Sequence, residues 1–146
     1  MAKQSIPQSE YMFSDSIKFI QKAVIFSGNK FLIIKRSPDA FNRANTWDLP
    51  GGCVSFGEEH EASLRREIKE ETGLSVDPLV LLQFTTDYDK KTKIYTFFTS
   101  FVTKTLSKKV ILSKEHTDYK WSTLDEFIKL ESASFLQNAV KIAVSR

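Results

Sequence analysis

Short apolar runs separated by turn-forming residues dominate the chain and predict strands more often than helices. Residues 17–26 and 30–37 are rich in β-branched and aromatic side chains, and the Ser-Gly-Asn between them is a turn signal. These two segments therefore predict a β-hairpin. Residues 38–45 predict a loop, and the proline and glycines of residues 46–52 predict an extended segment that ends in a turn. Further strands are predicted at residues 53–56, 79–88, 93–104 and 116–122.

Helical spacing of apolar residues is found in the middle and at the end of the chain. Residues 58–72 predict a helix, and Gly73 suits the left-handed conformation that often ends one. Residues 134–146 predict a terminal helix whose apolar side faces the core. That side consists of Phe135, Leu136, Ala139, Val140, Ala143 and Val144.

A short helix is also predicted at residues 124–130. Two alternative pairs have the spacing of a capping box there: Thr123 with Glu126, and Ser122 with Asp125. Residues 1–15 predict a flexible or edge-docked tail. Because strands and helices follow each other without regular βαβ alternation, the chain predicts an α/β fold with a mixed sheet and helices on both faces.

Composition narrows the class of protein. A chain of 146 residues, 41% hydrophobic and 27% charged, predicts one globular domain over residues 1–146. A net charge of +3 fits a small anionic partner and is too weak for a nucleic-acid polymer. The single cysteine, Cys53, excludes an internal disulfide and is expected to be a small buried hydrophobe. No apolar run approaches the ~20 residues of a membrane helix. We therefore expect a cytoplasmic protein that does not bind membranes.

Three glutamates lie close together in the predicted helix 58–72. At about 100° per residue, Glu67, Glu70 and Glu71 fall within an arc of roughly 100°. Leu64 and Ile68 lie beside this arc and would pack the helix onto the sheet. Carboxylates that converge in this way suit a hard divalent cation such as Mg²⁺. The alternative is a solvated, salt-bridged helix face that includes Arg65, Arg66 and Lys69.

The residues around the cluster decide between these interpretations. The chain contains, at fixed spacing, Gly52, five residues, Glu58, seven residues, and then Arg66, Glu67, Ile68, Glu70, Glu71, Gly73 and Leu74. This pattern, preceded by Trp-Asp-Leu-Pro-Gly-Gly, resembles the Nudix box, and the chain is most similar to the MutT-like branch. Residues 31–37 and 115–121 extend a looser resemblance. It implies an α/β/α sandwich around a central mixed sheet. It also implies an enzyme that hydrolyses a nucleoside diphosphate linked to another group.

The resemblance further implies roles for individual residues. It implies a site for Mg²⁺, with Mn²⁺ as a substitute, formed by Gly51, Gly52, Glu58, Glu67, Glu70, Glu71 and Glu115. It implies three catalytic residues: Arg66, Glu67 and Glu70. Arg66 would orient the glutamates through charge-assisted hydrogen bonds. The general base would be Glu67 or the late-loop Glu115, and a plain surface role for Glu115 stays open. Ser55 departs from the family pattern, in which many relatives carry an acidic residue.

Residues outside the box are candidates for binding the substrate. Basic residues that could hold phosphates are Lys35, Arg36 and Arg43, unless they are solvated loop charges. Aromatic residues that could stack on a nucleobase are Phe41, Trp47, Phe84 and Tyr88, unless they belong to the core. His60 and His116 form no metal motif and are expected to be structural or exposed.

Signatures of individual Nudix subfamilies are mostly absent. Residues 87–92 lack the proline typical of ADP-ribose hydrolases, and Tyr88 and Tyr95 flank the tyrosine position of diadenosine polyphosphate hydrolases without matching it. Only Arg36-Ser37 echoes the coenzyme A signature. By elimination, the substrate is a nucleoside triphosphate that is cleaved to monophosphate and pyrophosphate. The alternatives are a diadenosine polyphosphate, ADP-ribose or nucleotide-sugar hydrolase, and a non-catalytic nucleotide sensor. A homodimer is left open.

Overall fold

Seven strands and three helices make up residues 16–146, which are the part of the chain that the computed structural model describes. The strands are Ser16–Ser27 (β1), Lys30–Arg36 (β2), Trp47–Asp48 (β3), Gly51–Cys53 (β4), Val80–Asp89 (β5), Ile94–Lys104 (β6) and His116–Ser122 (β7). The helices are His60–Thr72 (α1), Leu124–Phe127 (α2) and Ser134–Val144 (α3). The predicted tail, residues 1–15, lies outside the described residues.

The strands form one mixed sheet in the order β3-β2-β1-β6-β5, with β4 paired to β1 and β7 paired to β2. The hairpin of β1 and β2 is present, and β1 also pairs in parallel with β6 along nearly its whole length. The first half of β1 is antiparallel to β4, whereas β2 joins β1 only next to the hairpin turn. The sheet therefore opens beside β4, and this opening gives room for a cleft.

Apolar side chains cover both faces of the sheet because alternate residues of a strand point to opposite sides. Ala23 and Ile25 of β1 pack with Leu64 and Ile68 of α1 on one face. Val24, between them, packs on the other face, against α2 and α3. The core residues on that second face include Phe31, Ile33, Leu49, Phe127, Leu136, Ala139 and Val140. The predicted α/β fold with helices on both faces is confirmed.

Helix α1 begins two residues later than predicted because Glu59 acts as its N-cap. The Glu59 carboxylate accepts hydrogen bonds from the backbone N–H groups of Glu61 and Ala62. The helix ends as predicted at Gly73, whose φ of 74° is left-handed and whose N–H donates to the carbonyl of Lys69 at 2.9 Å. The helix that carries the three glutamates is thus fixed at both ends by local sequence.

Two predictions in the middle of the chain are wrong. Residues 53–56 are not a strand, because β4 ends at Cys53 and a turn follows in which Glu58 N–H donates to the carbonyl of Ser55. Cys53, the last residue of this three-residue strand, is exposed rather than buried. The residues after Cys53 therefore form a turn and do not continue the strand.

The C-terminal part differs from the prediction in two details. Helix α2 is shorter than residues 124–130, and Thr123 is its cap, accepting a hydrogen bond from the N–H of Glu126. Val144, predicted to face the core, is 46% exposed because the end of α3 extends beyond the sheet. Among the described residues, no helix has the length and apolar character needed to cross a membrane.

Candidate active site

A cleft of about 840 Å³ opens where β1, β4, the C-terminal half of α1 and two loops meet. Alternate residues of β1 line it, namely Lys18, Ile20 and Lys22, as the two-residue period of a strand requires. One of the loops follows β2 and the other precedes β7. All three glutamates of the predicted cluster and Glu115 reach this cleft, as do Gly51 and Gly52 of β4.

The most deeply placed of the cleft glutamates is Glu71, which is 6% exposed. Its Oε1 accepts a hydrogen bond from the N–H of Gly51 at 2.8 Å, and Nε2 of His116 lies 3.5 Å from its Oε2. Burial raises the pKa of Glu71 to about 8, although the nearby charge of Lys22 and the Gly51 hydrogen bond oppose the rise. Negative charge at this position therefore needs a cation.

Glu67 lies one turn earlier on α1 and is half-buried against β4. A Cβ atom on Gly52 would lie 3.1–3.3 Å from the carboxyl group of Glu67, so glycine allows this close approach. Burial raises the pKa of Glu67, and the charges of Glu70 and Glu115 add to the rise while Arg66 opposes it. Like charges thus crowd together along this side of the cleft.

Arg66 connects three of the predicted glutamates from beside the cleft. Its Nε and Nη2 donate to the two oxygens of Glu58 at 3.0 and 3.1 Å. Its Nη1 donates to both oxygens of Glu70 at 3.1 and 3.2 Å, and Nη2 also lies 3.4 Å from Glu67 Oε1. The hydrogen bonds from Arg66 lower the pKa of Glu58 to about 2. Glu58 also accepts the N–H of Ser55, the position at which the chain departs from the family pattern.

The oxygen atoms on the glutamate side of the cleft are of the type that binds a hard divalent cation. Carboxylate and carbonyl oxygens are what Mg²⁺ and Mn²⁺ prefer, and burial disfavours the uncompensated charge of Glu67 and Glu71. Within residues 16–146, however, no three acidic, histidine or cysteine side chains form a ready metal cluster. Both oxygens of Glu70 accept hydrogen bonds from Arg66, so this carboxylate is paired with a cation of the protein itself.

A second charged group lies under the other side of the cleft, and the sequence pattern does not predict it. Asp48 is fully buried, and its Oδ2 accepts hydrogen bonds from Lys22 Nζ at 3.0 Å and Arg36 Nη1 at 3.1 Å. Arg43 Nη2 lies 3.7 Å from the same oxygen, and the N–H of Leu49 donates to Oδ1 at 2.8 Å. We call Asp48, Lys22, Arg36 and Arg43 the Asp48 cluster.

The pKa of Asp48 stays below its ordinary value despite its burial. Burial alone would raise this pKa, but the charges of Lys22 and Arg43 and the hydrogen bonds from Lys22 and Leu49 outweigh it. Lys22 also lies 3.4 Å from the carbonyl oxygen of Gly51, next to Glu71. The acidic and cationic sides of the cleft are therefore in direct contact. The one sequence signal for this cluster is Lys22 itself, a charged residue inside an apolar strand.

Comparison with known proteins agrees with this geometry. The family model described as NUDIX domain matches residues 21–141. The chain belongs to the NUDIX family. Its sequence is 34% identical over 103 residues to an 8-oxo-dGTP diphosphatase of Buchnera aphidicola subsp. Schizaphis graminum, covering 70% of this chain and 75% of the relative. It is 29% identical over 114 residues to the nucleoside triphosphatase NudI of Escherichia coli O17:K52:H18, covering 72% and 81%.

Solved structures show the same fold. A MutT NUDIX hydrolase from Burkholderia pseudomallei superimposes with a TM-score of 0.75 at 24% identity, covering 87% of this chain and 98% of that one. The predictions of a MutT-like Nudix protein, an α/β Nudix fold and a pyrophosphohydrolase of nucleoside phosphates are confirmed. Nudix hydrolases generally use divalent metals. The roles of individual residues stay predictions.

The structure brings only some of the predicted substrate-binding residues of this Nudix domain to the cleft. Arg36, Arg43 and the fully exposed Phe41 line it. The other four candidates, Lys35, Trp47, Phe84 and Tyr88, are not among its lining residues.

These four residues lie elsewhere for simple geometric reasons. Lys35 neighbours Arg36 on β2 and points to the other side of the strand. Trp47 packs against the α3 side of the core, and its backbone N–H donates to the carbonyl of Glu131. Phe84 and Tyr88 lie on β5, where Phe84 stacks on Phe97 with ring centroids 5.8 Å apart.

Besides Phe41, the aromatic rings of Phe98 and Phe135 line the cleft. Their centroids lie 4.4 Å apart, and the guanidinium carbon of Arg43 lies 5.6 Å from the Phe135 centroid. The helical spacing of apolar residues predicts a core position for Phe135, and nothing in the sequence pattern distinguishes Phe98 from other strand residues. His116, expected to be structural or exposed, is buried between Ser113 and Glu71, whereas His60 is half-exposed beside Glu59.

Proposed function

We propose that this Nudix enzyme hydrolyses a nucleoside triphosphate to the nucleoside monophosphate and pyrophosphate with Mg²⁺, which Mn²⁺ can replace. The observation that carries the proposal is the two-sided cleft. Buried carboxylates for a cation lie on α1, and the cationic Asp48 cluster lies opposite, with Lys22 and Gly51 in contact between them. The names of the two relatives, an 8-oxo-dGTP diphosphatase and a nucleoside triphosphatase, support a triphosphate substrate.

The residues proposed to hold the metal are Glu67, Glu70 and Glu71, with a backbone carbonyl of Gly51 or Gly52 and with Glu58 and Glu115 nearby. When bound, Mg²⁺ supplies positive charge that offsets the charge developing on phosphate oxygens and makes bound water more acidic. Arg66 keeps Glu58 and Glu70 on the same side of α1 through its two-sided hydrogen bonds.

The chain's own chemistry in the reaction is proton transfer and positioning. A water oxygen forms the new bond to phosphorus, the bond to the leaving pyrophosphate oxygen breaks, and the water proton passes to a carboxylate. We assign that carboxylate to Glu67, which is half-buried in the cleft wall, with Glu115 in the opposite loop as the alternative. Arg36 and Arg43 are proposed to neutralise the phosphates that extend away from the glutamates.

A substrate screen tests this function. Purified protein is incubated with nucleoside triphosphates, dinucleoside polyphosphates, ADP-ribose and nucleotide sugars, each with Mg²⁺ and with excess chelator, and the products are identified. We expect monophosphate and pyrophosphate from a triphosphate, and no turnover with chelator. Binding of nucleotides without hydrolysis would support a sensor instead, and turnover in excess chelator would contradict the metal dependence. Matched 8-oxo and unmodified purine and pyrimidine triphosphates then identify the base.

The proposal extends to the protein as a whole. We infer that residues 1–146 act as a single Nudix domain, that the protein works in the cytoplasm, and that its partner is the nucleotide alone rather than a nucleic-acid polymer or a membrane. Sedimentation analysis distinguishes a monomer from the homodimer that the sequence leaves open. Localisation of a tagged chain tests the cytoplasmic assignment.

A further inference from the structure

The two arginines of the Asp48 cluster are bound in different ways. Arg36 donates from Nε to the carbonyl of Asn42, from Nη2 to the side-chain oxygen of Asn42, and from Nη1 to Asp48, at 3.0, 3.0 and 3.1 Å. Three of its five N–H groups are therefore engaged in holding the loop after β2 against β3. Few of its donors are left for a ligand.

Arg43 has donors to spare. Its Nη1 is buried and has no hydrogen-bond partner in the part of the chain that the structure describes, and its Nη2 lies 3.7 Å from Asp48, beyond a normal hydrogen bond. The residue has a left-handed φ of 50°, and its carbonyl accepts hydrogen bonds from the N–H and hydroxyl of Thr46. Nη1 itself is closed off from the cleft, but the side chain as a whole is 29% exposed and lines the cleft, and this exposed part with its incompletely paired guanidinium points to a ligand that supplies an acceptor.

The negative charge of Asp48 is unfavourable beside a proposed phosphate site, because a carboxylate repels phosphates. The structure places three cationic side chains around this one carboxylate, and none of the three is free to leave without uncovering a buried charge. The negative charge of Asp48 lowers the positive potential of the cleft, but its ion pairs hold the cationic side chains in fixed positions.

We propose that Asp48 is a positioning residue that holds the guanidinium of Arg43 toward the phosphate chain of the substrate, and that Arg43 rather than Arg36 makes the direct contact. This inference rests on the proposed function, since it assigns a residue of the same cleft to the triphosphate. The guanidinium carbon of Arg43 also lies 5.6 Å from the centroid of the Phe135 ring, and this cation–π contact adds a second point of support beside Asp48.

The sign of one measurement separates positioning from simple electrostatics. Affinity for inorganic triphosphate with Mg²⁺ is measured by titration calorimetry for the wild type, Asp48→Asn and Asp39→Asn. Both variants remove one negative charge, and Asp39 lies on the same cleft wall without a side-chain cation partner in the described structure. Electrostatics alone predicts tighter binding for both. Positioning predicts that Asp48→Asn weakens binding about 10-fold while Asp39→Asn does not weaken it.

The arginines supply the matched comparison. We expect Arg43→Gln to weaken triphosphate binding about 10-fold or more, Arg43→Lys to restore little of it, and Arg36→Gln to weaken it less. In the Asp48→Asn background, Arg43→Gln should have a much smaller further effect, because the two residues act on one contact. For a nucleotide that is hydrolysed, KM should rise more than kcat falls in both single variants.

Several results would overturn the proposal. Asp48→Asn that is folded and binds triphosphate as tightly as the wild type or tighter gives Asp48 a purely structural role. If Asp48→Asn does not fold, the arginines decide alone: wild-type affinity in Arg43→Gln, or a larger loss in Arg36→Gln, refutes the assignment. The binding assay does not depend on turnover. A wild-type protein that binds triphosphate through Arg43 and hydrolyses no nucleotide refutes the proposed function and leaves the positioning role intact.

Discussion

The two sides of the cleft are assembled in opposite ways. The glutamates of α1 lie within five consecutive residues, and one helix with its own caps presents them together. The Asp48 cluster joins side chains 12 and 26 residues apart in the chain, from β1, the end of β2 and β3. The first group depends on local sequence, and the second exists only when the sheet has formed. We therefore expect substitutions on the acidic side to lower mainly the activity, and substitutions on the cationic side to lower mainly the free energy of unfolding.

The largest effect is expected on the stability of the cationic side. Asp48→Asn leaves the ammonium of Lys22, which is 5% exposed, without its ionic partner. Breaking a buried pair on one side costs about 3–5 kcal/mol of unfolding free energy. Urea denaturation followed by circular dichroism measures this cost. The matched control is Asp118→Asn, an exposed residue on β7 that we expect to change stability by less than about 0.5 kcal/mol. Equal stability of the two variants would contradict the comparison.

The acidic side should show the reverse pattern. Glu70→Gln keeps the size and helix propensity of the side chain but removes a proposed metal ligand, so kcat/KM should fall by roughly 100-fold, about 2.7 kcal/mol of transition-state stabilisation. Glu70 is 59% exposed, and its pair with Arg66 spans one helical turn. Its loss should therefore cost only about 0.5 kcal/mol of stability.

The measurements for Glu70→Gln are kcat/KM and melting temperature with and without Mg²⁺ below saturation. Mg²⁺ should raise the melting temperature of the wild type more than that of the variant. The control is Glu61→Gln, an exposed glutamate in the first turn of the same helix. Near wild-type turnover in Glu70→Gln, or equal stabilisation of both proteins by Mg²⁺, would support the solvated-face interpretation of the glutamates.

The stability contributed by the Asp48 cluster should fall in acid, at a pH that the pKa of Asp48 determines. The pKa of Asp48 in the folded protein lies below its ordinary value of 3.8. A lowered pKa means that the ionised group stabilises the fold above the unfolded value, and that this contribution is lost as the pH falls through the folded value. The part of the stability difference between the wild type and Asp48→Asn that comes from the ionised Asp48 should thus shrink as the pH falls below about 3.8. Denaturation curves above and below this pH measure it, and a difference that grows in acid would refute the assignment.

The features that the sequence predicts correctly are local ones, as on the acidic side of the cleft. The hairpin, the Gly73 cap and the shared face of Glu67, Glu70 and Glu71 depend on residues close together in the chain, and the structure contains all three. The predicted helix starts two residues too early because Glu59, an unusual N-cap, lies just before α1 rather than within it. Residues 53–56 were wrongly assigned as a strand because a few β-favouring side chains cannot reveal whether a partner strand continues beside them.

The cationic side was largely invisible for a related reason. Asp48 was noted only as part of the sequence that precedes the Nudix box, and nothing near it in the chain indicates that Lys22 is its partner. Phe98 and Phe135 meet across β6 and α3, whose contact depends on the whole sandwich. Conversely, Phe84 and Tyr88 have suitable chemistry for stacking but lie on β5, away from the cleft. Residue type predicts what a side chain can do, and topology decides where it does it.

The smallest expected effect sharpens the comparison within the cationic side. Arg36→Ala should raise KM for a nucleoside triphosphate more than it lowers kcat, and by less than about 10-fold. The reason is that Arg36 contributes charge to the cleft while most of its hydrogen bonds hold Asn42 and Asp48. Asn42→Ala is the matched control, because it removes one of these contacts and keeps the charge of Arg36. Steady-state kinetics at several salt concentrations should show that added salt narrows the gap in KM between Arg36→Ala and the wild type. An unchanged KM in Arg36→Ala would give Arg36 a purely structural role in holding Asn42 and Asp48, and a fall in kcat alone would place it at the reacting phosphate instead.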